Sequence, residues 1–146
     1  MFSNTLKTIL LLLLLACATQ SQVRFAVIEA NNIDGKTSGA VTVGTTNGGG
    51  ASQNFYPAHI TIIGHTITAL VTPVTLSVGT NSSTYNNLLA ATLLSTSLNA
   101  TNLMQVLNLA AGSPVIAHNT DIKVNVTSIA VGTAYTFDIK IFGWYE

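Results

Sequence analysis

His59, His65, His118 and Asp121 are the side chains most readily assembled into a metal or acid-base site. His59 and His65 bracket one run of alternating apolar residues, and "HNTD" sets His118 and Asp121 close together in a turn-like stretch. Zinc centres and general-base pairs need donors at recognisable spacings, and these four have none. Polar residues of turns and sheet edges account for all of them. Ser and Thr are plentiful, but no His-Asp partner at a recognisable spacing makes one of them a nucleophile. The stretch "TTNGGGAS" lacks the Gly-Lys-Ser/Thr ending of a phosphate loop and reads as a flexible connection. The expectation is a chain that is not an enzyme and holds no metal and no cofactor.

Recognition chemistry is better represented. Tyr56, Trp144 and Tyr145 offer flat rings of the kind on which sugars stack, and the competing reading is that they close the core. Three Asn-x-Ser/Thr sequons begin at Asn81, Asn99 and Asn125 and are candidate glycosylation sites.

The compartment is read from residues 1–21. One cation, Lys7, precedes an apolar run from Ile9 to Ala16 and then small and polar residues, the form of a signal peptide. A bilayer span needs about 20 apolar residues, so the run is too short to cross. Cleavage after Ala18 or near Gln22 fits; so does a lipobox reading in which Cys17 is acylated. The expected location is extracellular or at the cell surface. Beyond Cys17 there is no cysteine, so disulfides and thiolate chemistry are excluded from the folded part.

Charged residues make up 7% of the chain, with 5 basic and 5 acidic side chains, against the usual quarter. Such a surface offers no basic patch for nucleic acid. It is also a weak solubility strategy for a free monomer, which leaves hydroxyls, glycans or neighbouring subunits to cover the surface.

Alternation supplies the elements that would position these groups. In "QVRFAVIEA", Val23, Phe25 and Val27 fall on one face and Arg24, Ala26 and Ile28 on the other, which predicts a strand followed by the turn-rich "NNIDGK". A second short strand lies in "SGAVTVGTT". Ile60 and Ile62 alternate with His59 and Thr61, Gly64-His65 reads as a hairpin turn, and Ile67, Ala69 and Val71 form the return strand. Val74, Leu76 and Val78 continue after Pro73. Apolar pairs between 86 and 111, Leu88-Leu89, Leu93-Leu94, Leu103-Met104 and Val106-Leu107, have helical spacing, with Gly112 as a C-cap, and predict one or two short helices or irregular loops over the end of the sandwich. Ile122, Val124 and Val126, then Tyr135, Phe137, Ile139 and Ile141, return to strands. The sum is an all-β, jelly-roll-like sandwich, divided into a leader (1–21), an N-terminal strand or arm with its hinge (22–36) and a sandwich domain (37–146).

The Val78-Gly79-Thr80-Asn81 turn, the Tyr85-Asn86-Asn87 stretch after it and the closing "YTFDIKIFGWYE" resemble small jelly-roll subunits of extracellular fibrils and of virion fibre or decoration proteins. The leader favours a surface fibre over a virion protein, whose subunits assemble inside the cell. Pilus-type subunits add a further likeness, a secreted sandwich preceded by a strand-forming arm. The resemblance implies a homopolymer in which the arm completes the next subunit's sheet, with Val23, Phe25, Val27 and Ile28 as the intersubunit strand. An arm that serves as the first strand of its own sheet is the equal alternative, and a secreted carbohydrate-binding or adhesive module is the competing function.

Overall fold

The computed structural model describes residues 23–48 and 53–146. The leader with Cys17 and most of the glycine stretch lie outside the described residues. Eight strands run in order: β1 (Arg24–Asp34), β2 (Gly39–Thr45), β3 (Phe55–Thr68), β4 (Thr75–Gly79), β5 (Leu89–Leu93), β6 (Met104–Asn108), β7 (Asp121–Ser128) and β8 (Ala134–Tyr145).

Their pairing obeys one rule. The first strand pairs with the last, the second with the seventh, the third with the sixth and the fourth with the fifth, all antiparallel. That is one long hairpin ribbon. Contacts of β3 with β8 and of β4 with β7 then roll the ribbon into two four-stranded sheets, β1-β8-β3-β6 and β2-β7-β4-β5. The result is an all-β sandwich with the strand order of a jelly roll.

Alternation fixes which residues fill it. Along β8, Tyr135, Phe137, Ile139, Ile141 and Tyr145 point inward, while Thr136, Asp138, Lys140, Phe142 and Trp144 point outward. Ile60 and Ile62 of β3 and Ile122, Val124 and Val126 of β7 complete the centre of one core.

Two expectations are corrected. Among the described residues there is no helix, and the 86–111 region holds β5 and β6 instead. Its leucine pairs arise because strand ends and loop anchors alternate there: Leu88, Leu89, Leu94, Leu98 and Leu107 are buried, while Leu93 and Leu103 are exposed. Gly112 has φ +73 but closes a turn rather than a helix. Nor do Gly64 and His65 make a hairpin. β3 runs straight through them with a register shift against β8 between Gly64 and Thr66. Glycine stands at 64 because a Cβ there would meet the Ala100 carbonyl oxygen at 2.5 Å.

Tyr135 is buried, and its hydroxyl has no hydrogen-bond partner among the described residues. Burial pushes its pKa up to about 12. Since the folded state holds the neutral phenol above its ordinary value near 10, the associated stability is full below that value and is lost as pH rises through 12. Tyr135→Phe is expected to leave the fold at neutral pH as stable as before or up to about 1 kcal/mol more stable. It should also blunt unfolding between pH 10 and 12, read by circular dichroism; an unchanged alkaline limb would contradict this assignment.

Candidate interaction surface

The outer face of the β1-β8-β3-β6 sheet carries a cross-strand array of rings. Phe25, Trp144 and Tyr56 occupy one row across β1, β8 and β3; Val27, Phe142 and His59 occupy the next. Trp144 and Tyr56 stack with centroids 5.7 Å apart and planes 5° from parallel, and Phe142 and His59 stack at 4.7 Å and 13°.

Tyr56 and His59 share this face because of a bulge. Residues an odd number apart in a regular strand point to opposite sides. The register shift between Pro57 and His59 makes Ala58 the extra residue and returns His59 to the side of Tyr56. The array therefore depends on a feature that plain alternation does not show.

A charged row lies beyond the rings. Glu29 accepts from Lys140 at 2.8 Å, and that hydrogen bond raises the lysine pKa. His65 lies 3.3 Å from Asp138. On the edge strand β6, Met104 and Val106 are exposed. The other sheet's outer face is different in kind: Thr42, Lys123, Asn125 and Thr75 line it with hydroxyls, an amide and one cation, while Ser77 beside them is buried and donates to the Thr84 carbonyl.

β1 lies along β8 of its own chain, from Arg24 opposite Tyr145 to Asp34 opposite Thr136. The two faces of the strand are those expected, but their roles are divided. Val23, Phe25 and Val27 point to solvent, with Phe25 90% exposed, whereas Ile28 is only 8% exposed. Ile28 is the one member of that set that enters the sandwich. Its socket is cut in β2: a Cβ on Gly44 would lie 2.6 Å from Ile28 Cγ2.

The strand has two mechanical parts. A register shift between Ala30 and Ile33, with Asn32 at φ +55, separates the arm, residues 24–30, from residues 33–36. Within the second part, Gly35 donates to the Tyr135 carbonyl at 3.0 Å and accepts from Ala130 at 2.8 Å, and Lys36 donates to the carbonyls of Gly132 and Thr133. Asp34 accepts from the Thr37 hydroxyl and the Lys36 amide, which hold its pKa below the ordinary carboxylate value. That contribution is present above the ordinary value and is lost as pH falls through the lower, folded one.

The remaining predicted groups are dispersed. Tyr145 turns inward against Phe55 at 5.2 Å, accepts from the Gly48 amide, and so is no part of a ring platform. Asp121 accepts from Thr45, and His118 sits in the loop before β7, so the histidines and Asp121 form no common site. Among the described residues no three His, Cys, Asp or Glu side chains form a metal-binding group. Among those residues, too, no helix is long and apolar enough to cross a membrane.

Phe25→Asp is expected to shift stability by no more than about 0.5 kcal/mol, because the ring it removes is already in water. A fall in the urea midpoint comparable to that of a core substitution would place Phe25 in a buried contact.

The fold and this surface define an all-β jelly-roll sandwich with one aromatic and one hydroxyl-rich outer face. No protein-family model matches the chain, and no curated protein matches it. Among solved structures, it is similar to a chain of the cyanophage Pam1 capsid asymmetric unit. That likeness has 16% identity and a TM-score of 0.46, and covers 85% of this chain and 83% of that one.

Proposed function

We propose that the chain is a structural subunit of an extracellular fibre or surface assembly, made of copies of itself that exchange the arm of β1. The leader directs it outward, and its sparse charge suits a surface that neighbours cover. The observation that carries the reading is the seat of the arm. Residues 24–30 occupy an edge position on β8, with Ile28 over Gly44, and are joined to the pinned residues 33–36 through the Asn31-Asn32 bulge. Every copy has the same β8 and the same socket. An arm that swings at the bulge makes in a neighbour the bonds it makes at home, so exchange costs few contacts and gives a head-to-tail polymer.

Negative-stain electron microscopy of the native secreted protein, with its elution volume, tests this. Uniform filaments are expected; dispersed particles at a monomeric volume would overturn it. The cross-strand Trp144 and Tyr56 stack favours a second reading, a carbohydrate-binding module. That reading requires retention on a polysaccharide column that Trp144→Ala abolishes.

A further inference from the structure

We infer that Asn99 is the N-glycan acceptor of this chain, and that Asn81 and Asn125 are not. The three sequons are alike in sequence but differ in what the fold does with them.

Asn81 is committed to its own loop. Its Nδ2 donates to the Thr84 hydroxyl at 2.7 Å and to Asn86 Oδ1 at 2.9 Å, and its Oδ1 accepts from the amides of Asn86 and Asn87. Glycosylation replaces one Nδ2 proton, so one of the two donated bonds must be lost. Asn125 lies in the middle of β7, between β2 and β4, opposite Ala40 and Ser77 and half-buried. A glycan there would stand in the centre of a sheet face.

Asn99 has neither restraint. It lies in the loop between β5 and β6, just after the buried anchor Leu98, and residues 99–104 are exposed without a break. The loop is held by backbone bonds: the Asn102 amide donates to the Gly64 carbonyl and the Gly64 amide to the Leu103 carbonyl, each at 2.8 Å. The sequon is thus displayed on a fixed turn with its side chains outward. In the transfer step, Asn99 Nδ2 bonds to the anomeric carbon of a lipid-linked oligosaccharide. The lipid phosphate departs with the bonding pair, and the amide proton passes to the transferase's base.

The position also gives the glycan a task, which rests on the assembly reading above. β6 is the edge strand opposite β1 in the aromatic sheet, and exposed Leu103 and Met104 stand at its start. An unpaired apolar edge invites sheet-to-sheet pairing. A sugar chain at Asn99 stands at the entrance to that strand, so it blunts β6 and leaves the β1 end to direct growth.

Peptide-level mass spectrometry of the native secreted protein tests the inference. A glycan mass is expected on the Asn99 peptide alone, lost in Asn99→Gln and Thr101→Ala and retained in Thr101→Ser. A bare Asn99, or a glycan on Asn81 or Asn125, overturns it. The two readings fail separately: bare protein that still forms filaments removes only the glycan, and glycosylated protein that never polymerises removes only the fibre.

Discussion

Ile28→Asp is expected to abolish filament formation and to cost the subunit about 3–4 kcal/mol, a large share of the stability of a domain this size. Ile28 is the buried side chain that the arm, residues 24–30, sends into the sandwich, and it packs where Gly44 leaves room, while Ile33 fills the core beyond the bulge. An aspartate there must either carry its charge into an apolar socket or pull the arm off β8. In the proposed exchange the arm would meet the same socket in a neighbour, so the loss would apply to that seat as well as the home seat. Phe25→Asp provides the comparison, placing the same charge three residues away on the solvent side of the same strand. Urea denaturation and electron microscopy of the two variants should separate them clearly. Normal filaments from Ile28→Asp would end the strand-exchange reading.

Gly143→Val should be nearly as severe, at about 3 kcal/mol. Gly143 sits in β8 opposite Pro57, flanked by Phe142 and Trp144 on the outer side. A Cβ there would lie 2.6 Å from Phe55 Cζ and would also strike the Tyr56 carbonyl. Neither obstacle is a flexible side-chain end, so β3 must move away from β8. Tyr56 would move with it, breaking the stack on Trp144. Trp144 is the single tryptophan, so its fluorescence reports the change directly. A variant with an unaltered urea midpoint and emission spectrum would show that β3 and β8 have slack the geometry denies.

Most of the sandwich was legible because period-2 alternation is a direct consequence of the pleat. Tyr135 to Ile141 and Ile122 to Val126 read correctly as strands for that reason. Bulges were not legible, since they change parity without changing composition. The one at Ala58 joins Tyr56 to His59, and the one after Gly64 looked like a turn. The leucine pairs from 88 to 107 misled because helical spacing and the irregular spacing of short edge strands overlap over so few residues. At the arm, parity gave the two faces of Val23 to Ile28, but nothing in the sequence said which face was inward. The socket opposite Ile28 belongs to β2, and only the fold brings Gly44 there.

The pairing of the first strand with the last has a temporal side. Such non-local contacts give a jelly roll high contact order and slow closure. During synthesis β1 emerges early, yet Ala134–Tyr145, which must receive it, comes last. Throughout that interval the arm is an unpaired strand, open to capture by the finished β8 of another copy. On the assembly proposed above, that interval adds a second occasion for exchange to the swing of the finished arm, a race between chain completion and encounter set by the local concentration of subunits.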